Sequence, residues 1–194
     1  MNIKATPGPV KVTVTRGTPI VVMRRELYML MYELAEQHRD EAIKVDGKNE
    51  VEEIKHSMIC ILFCYTCLEA FINTVGKDRL GRIWDRYRDS STESKWMGVS
   101  NFLSSKKHGK PYSVFNKDKE PFKSFLRLEK IREDYLVHRQ AKFDEIVQTK
   151  YGKTEGTINT LNVNTADWSC ETVKRMVLKL VENMERAPEM KWVK

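Results

Sequence analysis

The segment from Met58 to Ile72 most constrains what this chain can fold into, because it is apolar around most of a helical circumference. A helix patterned that way has no solvent face and must be packed on several sides. Its boundaries are readable. Asn49 and Glu52 have capping-box spacing, Glu50 and Glu53 put negative charge where the helix dipole favours it, and Gly76 reads as a stop after Val75. At ~1.5 Å per residue such a helix is about 40 Å long, and the rest of the chain has to supply its covering.

The covering elements are predicted to be helices. Val10, Val12 and Val14 alternate with Lys11, Thr13 and Thr15, which predicts one short N-terminal strand. Thr18-Pro19 then opens a first helix over 19–44, with Leu27, Leu30, Met31, Leu34 and Ala35 as its apolar face. A short helix is expected over Lys77–Arg88, and one or two helical turns over Lys95–Leu103. The run Lys106-Lys107-His108-Gly109-Lys110-Pro111 reads as a basic loop. Pro121 opens a third major helix through about Ile146, with Phe122, Phe125, Leu128, Ile131, Tyr135 and Leu136 on one face. Ile158, Leu161 and Val163 give a weak strand signal that would pair with the N-terminal strand. Asn164 or Thr165 caps a last helix whose Trp168, Val173, Met176, Val177, Leu180, Val181 and Met184 face inward. The expectation is an all-α bundle of four to five helices with a short N-terminal strand. Residues 1–18 form an extension, 19–188 the helical domain and 189–194 a tail.

At 194 residues with 41% hydrophobic and 31% charged side chains, the chain suits one domain with a sizeable core. It lacks 18 consecutive apolar residues and an apolar N-terminal leader, so neither a membrane span nor a secretory signal is expected. Four cysteines do not make a disulfide scaffold at this length, and a reducing cytoplasm is the expected location.

Charge is localised. Residues 95–132 carry ten basic and three acidic side chains, an excess equal to the whole net charge of +7. Such a stretch either draws a polyanion to one face or is simply solvated. Cys60, Cys64 and Cys67 recur at i, i+4 and i+7, and Cys170 lies on another helix. A single straight helix cannot close a tetrahedral metal site, so these read as small core residues and no metal or cofactor is expected.

The third major helix carries the candidate chemistry. On a wheel of ~100° per residue, Arg132 falls about 40° from Leu128 and about 60° from Tyr135, inside the apolar stripe. An arginine there cannot shed its charge and needs an anionic partner or a water-filled cleft. Glu69 on the central helix is one candidate partner, and a ligand phosphate is another. His138 lies at the edge of the same stripe, with Asp134 four residues earlier and able to orient it or raise its pKa.

Arg132 and His138 are separated by five residues, late on a penultimate long helix. This resembles the Arg-x(4–6)-His motif of the HEPN superfamily of helical bundles. Tyr65-Thr66-Cys67-Leu68-Glu69-Ala70-Phe71-Ile72-Asn73 is similar to a small-Leu-Glu-Ala-Phe-Ile-Asn pattern common in that superfamily, and the order of elements fits over roughly residues 19–186. The resemblance implies a metal-independent endoribonuclease in bacterial defence or a toxin–antitoxin pair, with RNA or a nucleotide as ligand and an antitoxin as a further partner. It implies that Arg132 contacts the scissile phosphate and His138 acts on protons, with Asp134 and Glu69 in support. Lys106, Lys107, Lys110, Lys130 and Arg139 would hold the RNA backbone, and two protomers would share one cleft as a homodimer. Glu133 follows the arginine where the family usually carries a small polar residue. That departure favours the alternative, a non-catalytic module that binds RNA, a nucleotide or a protein.

Overall fold

The structure is a computed structural model that describes residues 11–13, 20–22, 26–110, 113–137 and 160–185. It is an all-α bundle. Two short strands, β1 (Lys11–Thr13) and β2 (Ile20–Val22), precede the helices α1 (Leu27–Val45), α2 (Glu50–Leu80), α3 (Thr92–His108), α4 (Phe122–Ile131) and α5 (Val163–Glu182). A 3-10 segment, Gly81–Arg86, follows α2, and a π-helical segment, Arg132–Val137, follows α4.

β1 falls inside the predicted strand, but its partner differs from expectation. It pairs antiparallel with β2, Val12 opposite Val21; of the residues expected to pair with it, Val163 opens α5, Leu161 just precedes that helix, and Ile158 lies outside the described residues. Residues 20–22 are therefore extended, and α1 starts at Leu27 instead of at Pro19. Its buried face is also rotated from the predicted one. Tyr32, Ala35 and Ala42 are buried, whereas Leu27 is 56% exposed and Leu30 39%. Alanines seven residues apart let the α1 backbone approach α2 closely, and that approach outweighs the larger area a leucine face would bury.

α2 is the central element. Asn49 caps it, its side chain accepting from the Glu52 amide at 3.3 Å. Within Glu50–Arg86 an 18-residue window reaches a mean hydropathy of 1.8, long and apolar enough by length and composition to cross a membrane. Here its apolar side chains are covered by helices: Cys60, Ile61, Cys64, Leu68, Phe71 and Ile72 are all buried in the common core. The helix does not stop at Gly76. It continues to Leu80 and ends at Gly81, whose φ of 53° suits a residue without a Cβ. Gly76 serves packing instead: an added Cβ would lie 2.2 Å from Cζ3 of Trp84.

Lys106, Lys107 and His108, predicted as the start of a basic loop, are the last turn of α3, while Gly109 and Lys110 lie beyond the helix and Pro111 is outside the described residues. Ser91 caps that helix through the Ser94 amide, and Gly109 at φ 67° closes it. Lys106, Lys107 and His108 occupy the turn where the helix dipole favours cations. The α-helix opened by Pro121 gives way after Ile131 to the π-helical segment through Val137, and the residues over which it was expected to run on to about Ile146 lie outside the described residues; Asn162 caps α5 in place of Asn164 or Thr165, accepting from the Thr165 amide at 2.9 Å.

An aromatic chain ties α2, α3 and α4 together. Phe71 stacks on Trp96 (6.1 Å between centroids), Trp96 meets Phe115 edge-on (5.6 Å), and Phe122 lies between Phe115 (5.4 Å) and Phe125 (5.3 Å). Phe125 then stacks on Tyr65 at 6.3 Å. Each ring is held from two sides, so Tyr65 has a fixed position at the edge of the core.

Candidate functional site

Tyr65 is where the core meets the motif. The Arg132 guanidinium lies over its ring, 4.4 Å from the centroid. The Tyr65 hydroxyl donates to Glu129 Oε1 at 3.1 Å. Glu129 and Arg132 are three residues apart, so the end of α4 presents both toward α2. From α3, the Thr92 hydroxyl donates to Glu69 Oε1 at 3.4 Å. Tyr65 and Glu69 are four residues apart on α2 and line the same face.

Arg132 thus sits inward, as its place in the apolar stripe requires, but Glu69 is not its partner. Among the described residues no carboxylate lies within 4.0 Å of Arg132, and Glu69 is engaged by Thr92. The cation is stabilised by the Tyr65 π face, which leaves its N–H groups able to bind an anion. Burial raises the Glu129 carboxyl above its usual value, with Glu133 and Glu93 adding to the rise, while the Tyr65 hydroxyl and Arg132 oppose it. Burial pushes the Tyr65 phenol up to about 12, so it stays a hydrogen-bond donor. Tyr65 and Glu129 were not singled out as site residues from the sequence. The i, i+3 spacing of Glu129 and Arg132 was the available signal.

Arg132 opens the π-helical segment. There the bonds reach one residue further than in an α-helix, and a 100° wheel no longer assigns faces. Such segments occur mostly at functional positions. Glu133 is exposed and Asp134 half-buried. His138 and Arg139 lie outside the described residues.

The basic stretch is dispersed. Lys107 Nζ donates to the Glu182 carbonyl at the end of α5, Lys117 pairs with Glu93, and Arg127 lies over Trp168 at 4.9 Å. Lys95 is buried between α2 and α3. Lys106, Lys110 and Lys130 are exposed. Of the lysines expected to hold RNA, Lys107 is committed to capping α5.

Three cysteines meet, though not the predicted three. Cys60, Cys64 and Cys170 have their sulfurs within 4.8 Å of one another, and Cys67 is outside the group. Cys170 Sγ is 3.6 Å from Cys60 Sγ and 3.7 Å from Cys64 Sγ. Two sulfurs held at ~2.3 Å by a tetrahedral zinc would be about 3.8 Å apart, so the trio has the spacing to hold a thiophilic metal. It is also contact distance for packed thiols, and among the described residues no fourth side-chain ligand joins them. The Cys60 thiol donates to the Ala166 carbonyl at 3.5 Å. Hydrogen bonds from Cys60 and Cys64 hold the Cys170 thiol below its usual value, and burial pushes Cys64 and Cys67 up.

The fold and this site define an all-α bundle with an arginine held on a core tyrosine beside a half-buried carboxylate, and with no carboxylate partner for that arginine among the described residues. Comparisons with family models, curated proteins and solved structures return no match.

Proposed function

We propose that the chain is a metal-independent endoribonuclease of the HEPN type, acting in the cytoplasm as a homodimer in bacterial defence or a toxin–antitoxin system. The observation that carries the reading is Arg132: a guanidinium fixed on the Tyr65 ring with no carboxylate partner among the described residues. RNA supplies its own nucleophile. The 2′-hydroxyl gives up its proton and attacks phosphorus, the 5′-oxygen leaves with a proton, and a 2′,3′-cyclic phosphate remains. The protein must supply proton transfer, which falls to His138, and a cation for the charge on the phosphorane, which falls to Arg132. Two protomers facing one cleft bring two such pairs together.

A second reading is favoured by the carboxylates. Glu129 lies beside Tyr65 under Arg132 and Glu133 follows Arg132 directly, and carboxylates this near the arginine weaken binding of a charged transition state. On that reading the bundle binds RNA or a nucleotide without cleaving it. The test is incubation of purified protein with mixed RNA in EDTA, beside Arg132→Ala, His138→Ala and Tyr65→Phe. Cleavage by the parent, with cyclic phosphate ends and at least 100-fold loss in the first two variants, is expected. Tyr65→Phe keeps the ring under Arg132 and should retain most activity. Equal cleavage by Arg132→Ala overturns the catalytic assignment, and binding without cleavage by the parent selects the second reading.

A further inference from the structure

Between α2 and the 3-10 segment lies an open cleft of about 270 Å³, lined by Asn73, Thr74, Lys77, Trp84, Arg88 and Lys95. Lys95 makes it unusual. Its side chain belongs to a residue only 7% exposed, and among the described residues it has no hydrogen bond and no ion pair. Its one close interaction is with the Trp84 ring, 5.8 Å from Nζ to the centroid. The stem of Lys95 is buried while its ammonium is not among the enclosed polar atoms, so the charged head opens onto the cleft. Asn73 repeats the pattern, with Oδ1 buried and unpartnered among the described residues. The Asn73 Nδ2 is not among the enclosed atoms and is the end of that amide able to donate into the cleft.

We propose that this cleft seats a phosphate monoester dianion, carried by the end of an RNA chain or by a free nucleotide. The charge fits. Arg88 is paired with Asp89 at 3.3 Å, which leaves Lys77 and Lys95 as two cations at one site with no carboxylate partner among the described residues. A monoester carries close to two negative charges at neutral pH, against one for an internal diester. The volume fits as well: at ~30 Å³ per water, the cleft holds about nine waters, room for a phosphate and its first attached atoms. Trp84 is not free to stack on a base, since one side of its ring lies against Gly76 and Lys95 stands over it. The ligand is therefore recognised by its phosphate and not by its base.

The cleft lies further along the same face of α2 as Tyr65. Tyr65, Glu69 and Asn73 recur every four residues on one face of α2, and Thr92 and Lys95 are three apart on α3. Eight residues of helix put the cleft about 12 Å along α2 from Tyr65. Phosphate binding is nevertheless measured without cleavage, so its outcome does not depend on the ribonuclease reading.

The experiment is calorimetric titration of the full chain with AMP, adenosine, and one RNA hexamer bearing either a 5′-phosphate or a 5′-hydroxyl. At least tenfold tighter binding of the phosphorylated member is expected in one pair or the other; the AMP pair points to a free nucleotide and the hexamer pair to an RNA end. Lys95→Met, similar in length and uncharged, should lose that preference while unfolding at an equal or higher midpoint. A purely structural Lys95 would give the opposite result, a lower midpoint with the preference intact, and would overturn the proposal. Should Lys95→Met fail to fold, Lys77→Met at an exposed position is expected to weaken the phosphorylated ligand severalfold and leave adenosine unaffected. Equal binding with and without phosphate in both pairs also overturns it.

Discussion

Gly76→Ala sets two physical effects against each other, and the structure decides the sign. Gly76 sits inside α2, where helix propensity favours alanine by about 1 kcal/mol. Propensity alone therefore predicts a more stable protein. The new Cβ, however, would meet Trp84 at 2.2, 2.3 and 2.9 Å, and the atoms met belong to a rigid indole. Ordinary contact begins near 3.4 Å, so the ring must retreat by more than 1 Å from a site where it is only 7% exposed. Overpacking of this kind costs roughly 1–3 kcal/mol, rising toward the ~3–5 kcal/mol of deleting a core aromatic if Trp84 is expelled. A retreat of more than 1 Å by a rigid ring puts the cost in the upper part of that range, about 2–3 kcal/mol, and against the propensity gain the expected net loss is about 1–2 kcal/mol. Urea unfolding followed by tryptophan fluorescence should show a lower midpoint, and Tm should fall by roughly 2–8 °C for a chain of this size. Because Trp84 lines the phosphate cleft, affinity for a phosphorylated ligand should fall with it. A midpoint that rises by the propensity value would refute the packing of Trp84 on Gly76, and with it the shape of the cleft.

Two further outcomes follow from the titrating groups. His38 and His56 face each other with Nδ1 atoms 2.9 Å apart, and burial followed by the His56 charge lowers the His38 pKa. The folded protein therefore binds fewer protons than the unfolded chain just below pH 6.5, so stability falls as pH drops through that window. His38→Gln should flatten this part of a stability–pH curve, and an unchanged slope would refute the pairing. All four cysteines are free and buried, so none should react with an aromatic disulfide reagent in the native state, whereas four should titrate in denaturant. One thiol reacting at the rate of free cysteine would show that the Cys60, Cys64 and Cys170 group is not enclosed.

Leu128, Ile131 and Arg132 were legible as one stripe because helical periodicity is local, and the structure buries the first two and half-buries the third. What the arginine touches was not legible. Glu69 was the natural electrostatic candidate, yet Thr92 reaches Glu69 and Tyr65 reaches both Glu129 and Arg132, since α3 and α4 approach α2 from different sides. Cys170 illustrates the same point: a residue 110 positions from Cys60 joins the thiol group, and the locally spaced Cys67 does not.

The sequence by itself determined the helical class, the central place of α2, the Asn49 cap and the inward arginine, all of which depend on residues within a turn or two of each other. The tertiary structure alone decided the rest. It set which face of α1 is buried, why Gly76 lies inside a helix, where the basic residues go, and that Lys95 ends up buried beside a cleft. Periodicity and capping report the free energy of a short segment. Partner choice depends on close packing between segments distant in the chain, where a single methyl group or indole ring outweighs propensity.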